Sequence, residues 1–312
     1  MLKLFVAVSF IFLALSARAQ APRSAADFHK RGEERYTRGD YDGAISDFTK
    51  AIELSSRLVS VSDLRRHTWT EARGPRGEPA PAGRVSVVDP RTASAYLNRG
   101  VARVAQGDVD GGILDFDQAI AITPGLALAY YNRGTAWLVK GDLERALADY
   151  DQSLRLDPRF VDGYTGRGNA RLDGGDVAGA FADYEQAIRL APRSAHAYAS
   201  RGDARLRTGD LGGAAADFGR AMGLDPEFAG SYYGRGMVRF ARGELEGAVD
   251  DYTKALSLDG RLARAYANRG LARLLQGRVE EAERDLSRAV SLDPQLRAEV
   301  ETRVRAIKGR RR

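Results

Sequence analysis

A period of 34 residues constrains this chain more than any other feature. Aligned on the phrase Tyr-x-x-Arg-Gly, a glycine recurs at Gly100, Gly134, Gly168, Gly202, Gly236 and Gly270. An aromatic stands four residues ahead of each, at Tyr96, Tyr130, Tyr164, Tyr198, Tyr232 and Tyr266. A second glycine follows seven residues later, at Gly107, Gly141, Gly175, Gly209, Gly243 and Gly277. Small residues come next at Gly112, Ala146, Ala180, Ala214, Ala248 and Ala282. A second ring follows at Phe116, Tyr150, Tyr184, Phe218 and Tyr252, replaced by Leu286 in the last unit. Proline closes most units, at Pro124, Pro158, Pro192, Pro226 and Pro294, with Gly260 in the remaining one. An earlier unit fits the same frame with Phe28, Gly32, Gly39, Ala44, Phe48 and Ala51. Self-similarity at a fixed spacing is the mark of a stacked-repeat architecture.

Each unit reads as two helices. Tyr130, Gly134 and Trp137 are spaced four and three, which places them on one helical face. Gly141 and Asp142 end that helix, because glycine tolerates the left-handed backbone of a helix stop. Leu143, Ala146, Tyr150 and Ser153 form a second face at spacings of three, four and three. Gly134 and Ala146 are small where the two helices cross, and proline turns the chain into the next unit. The helix-crossing set is therefore Gly100, Gly134, Gly168, Gly202, Gly236 and Gly270, with Ala146, Ala180, Ala214, Ala248 and Ala282 opposite. Every pair leaves apolar surface that only the next pair covers.

These residues and this period resemble the tetratricopeptide repeat family. The resemblance implies an all-α fold of about seven antiparallel hairpins in a right-handed superhelix, with a concave inner face that binds ligand. The sequence departs from the family pattern at two slots. The residue before the first glycine is always arginine, at Arg31, Arg99, Arg133, Arg167, Arg201, Arg235 and Arg269, where the family is usually apolar. Aspartate recurs in the second helix at Asp47, Asp115, Asp149, Asp183, Asp217, Asp251 and Asp285, and the two series predict a ladder of ion pairs. Arg103, Arg171, Arg205, Arg239 and Arg273 fill a slot often aromatic in the family, where their alkyl stems are expected to cover apolar surface.

The expected organisation is a signal peptide over 1–19, a first repeat over 25–58, an irregular insertion over 59–92, six contiguous repeats over 93–294, a capping helix over 295–308 and a basic tail over 309–312. Lys3, the apolar run from Leu4 to Leu15, and the small residues Ala17 and Ala19 read as a secretory leader cleaved after Ala19. That predicts an exported, periplasmic or secreted bacterial protein. The insertion holds Pro75, Pro79, Pro81 and Pro90, with the lone ring Trp69 and two alternating stretches, 59–62 and 85–88, that fit a small β-ribbon. Its length of about one repeat leaves a decayed repeat as an alternative. Leu296, Val300, Val304 and Ile307 continue a first-helix face and are expected to cap the array.

The chain has no cysteine, which excludes disulfides and thiolate chemistry. Its formal charge of +6 is concentrated at the ends, in Lys3, Arg18 and Arg310 to Arg312, with both signs mixed between. No single-sign stripe marks a nucleic-acid surface. No phosphate-binding loop or paired-histidine metal motif is present, so no enzyme activity, cofactor or metal is expected. In the resembled family the second, fifth, sixth, ninth and thirteenth slots of the first helix face the partner. Carried over, they name Leu128, Tyr131, Thr135, Asp162, Thr165, Asn169, His196, Asp203, Arg207, Tyr233, Met237 and Arg264, with Asn268 and Leu271 beyond. Tyr131, Tyr233 and Met237 are the expected anchors, and the lysine of the family's two-carboxylate clamp is missing. The expected function is an exported scaffold or adaptor holding a protein or peptide segment. The alternatives are an envelope-associated structural protein, with the tail against lipid or wall, and a non-catalytic subunit of an envelope enzyme complex.

Overall fold

The computed structural model describes residues 24–55 and 90–309. The leader, the insertion up to residue 89 with Trp69 and its two alternating stretches, and the last three arginines lie outside the described residues. The described residues are all helical apart from turns. They fall into two compact units that divide after Gly141.

The first unit contains α1 (Ala25–Thr37), α2 (Tyr41–Ser55), α3 (Pro90–Gln106), α4 (Val109–Ile122) and α5 (Ala127–Val139). The second contains α6 (Leu143–Leu156), α7 (Val161–Asp173), α8 (Val177–Leu190), α9 (Ala195–Arg207), α10 (Leu211–Leu224), α11 (Ala229–Ala241), α12 (Leu245–Leu258), α13 (Ala263–Leu275), α14 (Val279–Leu292), a 3₁₀ turn (Pro294–Leu296) and α15 (Arg297–Gly309). Within each unit, every helix packs on its sequence neighbours, and successive first helices also touch. Within each unit the helices form antiparallel hairpins, each leaning on the next.

The hairpin turn is built by two adjacent residues. The second glycine of each repeat adopts positive φ, as at Gly209 (86°) and Gly243 (78°), where a side chain would clash with its own carbonyl. In the repeats where aspartate follows it, that aspartate caps the second helix, whereas Glu244 and Arg278 in the last two make no side-chain cap. Asp108, Asp142, Asp176 and Asp210 accept from the backbone N–H three residues on, at 2.8–3.0 Å. Glycine-aspartate thus ends one helix and starts the next within a few residues.

The helix crossing is packed by the second ring. The ring of Phe218 is gripped from both sides: an added Cβ would lie 3.1 Å from it at Gly202 in its own hairpin and 2.2 Å at Gly234 in the next. Ala180, Ala214, Ala248 and Ala282 are fully buried opposite the glycines, as is Ala146 on α6. The apolar clusters run from each hairpin into the following first helix, as where Ala214, Phe218 and Ala221 meet Val238 of α11. This continuity is what couples neighbours.

Helix α3 starts at Pro90, ahead of the boundary at 93, since proline's fixed φ suits a first helical turn. It packs directly on α2 and touches α1. Arg99 Nη1 donates to Thr49 Oγ1 at 3.1 Å, and Asn98 lies 3.1 Å from His29 Nε2. The described hairpins on either side of the insertion therefore meet directly. At the other end, Leu296, Val300, Val304 and Ile307 cover Ala267, Leu271, Leu286 and Ala289.

Candidate functional site

The recurring charges form closed triads. In α3–α4, Arg99 makes a bidentate pair with Asp115 at 2.9 and 2.6 Å, and Arg103 reaches the same carboxylate at 2.8 Å. The same triad recurs with Arg167 and Arg171 on Asp183, Arg201 and Arg205 on Asp217, Arg235 and Arg239 on Asp251, and Arg269 and Arg273 on Asp285. Every one of these aspartates is buried. In most repeats the arginine before the first glycine also stacks on the tyrosine three residues ahead of it, as Arg99 does on Tyr96 at 5.3 Å and Arg269 on Tyr266 at 5.5 Å. This explains the phrase Tyr-x-x-Arg-Gly: the ring holds the guanidinium over the carboxylate. The second arginine does more than cover apolar surface with its stem, because its head closes the triad. Its stereochemical role was hidden because the carboxylate lies twelve residues away on another helix.

The twelve expected partner-facing residues separate into four groups. Thr165 must be withdrawn: it is 1% exposed, and its hydroxyl donates to the Asp162 carbonyl at 3.0 Å. The slot rule misplaces it because α7 is shielded there by its neighbours. Leu128 is 42% exposed on α5, while Tyr131 and Thr135 are half-buried, Thr135 donating to the Tyr131 carbonyl at 3.1 Å. In the second unit, Asp162 and His196 face solvent across α7 and α9, 4.0 Å apart. Asn169 is exposed and accepts from the Tyr184 hydroxyl at 2.7 Å. Arg207 pairs with Asp173 at 2.8 Å. Asp203 keeps an exposed edge, yet its surroundings desolvate it enough to raise its pKa, with Arg207 opposing the rise and Asp173 adding to it.

Tyr233, Met237 and Arg264 do converge. With Asn268 and Leu271 they line a cleft of about 260 Å³ that also takes in Leu206, Phe240, Tyr252, Leu296 and, from α15, Glu299, Val300 and Arg303. Asn268 orders its polar side: its amide donates to the Tyr233 hydroxyl at 3.1 Å and its carbonyl accepts from Arg303 at 3.1 Å. Burial raises the pKa of Tyr233 and Tyr252, whose rings lie 6.0 Å apart, so both hydroxyls stay protonated donors at neutral pH. Arg303 stands 34 residues after Arg269, in the slot of the ladder arginines, but among the described residues it meets no buried aspartate. It stacks at 5.9 Å on Phe240 and approaches Glu299 at 3.4 Å.

Leu206, Phe240, Tyr252, Glu299 and Arg303 escaped the sequence reading. Four lie at slots the rule assigns to packing or charge pairing, and Glu299 lies on the cap. For Arg303, its place in the 34-residue register was the available signal.

Helical hairpins repeated at this period, with a cleft on the first-helix face, define an all-α repeat protein of the kind that presents side chains from successive units. Sequence profiles described as tetratricopeptide repeat match residues 82–127 with 165–227, 127–160 and 263–296, and one described as TPR repeat matches 236–277. The chain is a tetratricopeptide repeat protein. No curated protein sequence matches it significantly. Among solved structures it is similar to a tetratricopeptide repeat protein from Parabacteroides merdae, at 19% identity and a TM-score of 0.63, over 91% of this chain and 99% of that one. It is also similar to yeast Tom70, at 16% identity and a TM-score of 0.62, over 95% of this chain and 66% of that one. A chain of the APC/C hetero-tetramer Cut9–Hcn1 matches at 14% identity and a TM-score of 0.60, over 93% of this chain and 58% of that one. At these identities the likeness is one of fold.

Proposed function

We propose that this protein is an exported, non-catalytic scaffold that holds a segment of a partner protein against the first-helix face of its repeats. The cleft between α11, α13 and α15 carries this reading. It presents an adaptable thioether, rings and an aliphatic wall beside a preordered polar edge, the mixture found at protein-binding hot spots. The charged triads hold the frame and leave recognition to side chains that differ from unit to unit. The fold shared with one component of a hetero-tetrameric assembly agrees with such a role.

Affinity capture from the exported fraction tests it, with the wild type beside a Tyr233→Ala, Met237→Ala double variant of intact helicity. The expected result is a stoichiometric partner held by the wild type and lost by the variant. Equal recovery by both would remove the cleft from the interface. Export is tested separately. Cell fractionation with N-terminal sequencing is expected to find a mature chain starting at Gln20, and a cytoplasmic protein that keeps residues 1–19 would refute it.

A further inference from the structure

The cleft contains a polar group that the fold itself leaves unused. Tyr252 is completely buried, and its hydroxyl has no hydrogen-bond partner among the described residues. Two units earlier the equivalent ring, Tyr184, donates to Asn169 at 2.7 Å. The slot of Asn169 is occupied here by Met237, whose sulfur is a poor acceptor. An unpaired hydroxyl in an apolar interior is costly, and a repeat that solves the problem elsewhere has not solved it at the floor of its cleft.

The remaining polar groups are unbalanced in the same sense. Tyr233 accepts from Asn268, which leaves its proton to donate. Arg264 is 69% exposed and only loosely paired, 3.9 Å from Glu299. Arg303 keeps further N–H groups beyond those given to Asn268 and Glu299. The cleft thus offers several donors against the single carboxylate of Glu299, with two cations against one anion.

We propose that the cleft receives an acidic side chain of a partner peptide, its carboxylate accepting from the hydroxyls of Tyr252 and Tyr233 and facing Arg303. Entry requires Met237 to swing aside, and its unbranched side chain permits that at low cost. This rests on the reading that the chain binds a protein segment. It goes further by naming the chemistry of the residue bound.

The probe is an array of random 12-residue peptides capped at both termini. Each peptide that contains Glu or Asp is paired with its Gln or Asn counterpart, and a matched set carries a free C-terminal carboxylate. Wild-type protein is expected to bind a subset that weakens about tenfold on amide replacement. Tyr252→Phe and Arg303→Gln are expected to lose a similar factor on the acid members only. Met237→Asn, which supplies Tyr252 with the partner that Tyr184 has, is expected to raise the melting temperature and weaken the acid members. Tyr252→Phe removes an unpaired hydroxyl without emptying the core, so loss of binding in that variant is not loss of fold. Bound peptides indifferent to amide replacement or to Tyr252→Phe would overturn the proposal while leaving peptide binding intact. Preference for the free C-terminus would overturn the side-chain assignment, and an array on which the wild type binds nothing would overturn both readings.

Discussion

The glycines do two physically different jobs at the scale of single residues. At Gly209 the space around an added Cβ is open, and the constraint is its positive φ alone. At Gly236 an added Cβ would lie 2.7 Å from the Tyr252 ring, inside van der Waals contact. Gly209→Ala is therefore expected to cost about 1 kcal/mol, purely from backbone strain. Gly236→Ala is expected to cost about 2–3 kcal/mol from overpacking and to disturb near-ultraviolet circular dichroism from the tyrosines. Urea titration of both variants checks the order. Asp203 supplies a pH-dependent case. Its pKa is raised in the fold, so the folded state binds a proton more readily than the unfolded chain, and stability from this group is lost as pH rises through the folded value. Asp203→Asn is expected to raise the melting temperature at pH 7. The gain should vanish in acid, where the native carboxyl is already protonated. A gain that persisted unchanged at pH 3 would count against this account.

Within and between hairpins, the triads tie α3, α7, α9, α11 and α13 each to its own second helix, and a further contact ties several first helices to the helix before. Arg99, Arg133, Arg167 and Arg269 reach back to Thr49, Asp117, Asp151 and Thr253. The corresponding position before Arg235 is Gly219, where an added Cβ meets nothing within 4 Å. The α10–α11 junction thus lacks the bridge those four junctions have among the described residues, and it carries a helix-weakening glycine as well. Gly219→Asp is expected to stabilise the second unit by about 0.5–1 kcal/mol, the sum of a small propensity gain and a half-exposed ion pair. Calorimetry at low and high salt separates the two, because only the ion pair is screened.

For the whole molecule, stability is a chain of neighbour contacts, so removing an end should act locally first. Truncation after residue 294 would strip Leu296, Val300, Val304 and Ile307 from Ala267, Leu271, Leu286 and Ala289. Amide exchange is expected to rise first in α13 and α14, with α7 and α8 little changed. Uniform acceleration across the second unit would show tighter coupling than nearest-neighbour stacking provides. The same truncation removes Glu299, Val300 and Arg303 from the cleft, so the cap is both the end of the array and one wall of its site.

The hairpins themselves were legible in the linear text because each is a local object. Glycine, ring and small-residue spacings of three, four and seven translate directly into helix faces and helix stops, and a 34-residue period repeats the translation. The arginine–aspartate pairing was legible for the same reason, as two series in fixed register. The second arginine of each triad was not, because its destination depends on how far two helices are rotated against each other. Thr165 was misassigned on the same ground, since a slot says which face a residue is on and nothing about what covers that face. Tertiary structure alone decided that Tyr233, Met237 and Arg264 would share a cleft with α15, and that the Tyr252 hydroxyl would reach its floor without a hydrogen-bond partner among the described residues. Periodicity specifies directions around a helix axis, whereas a site also requires distances between axes, and those are set by the packing of every side chain between them.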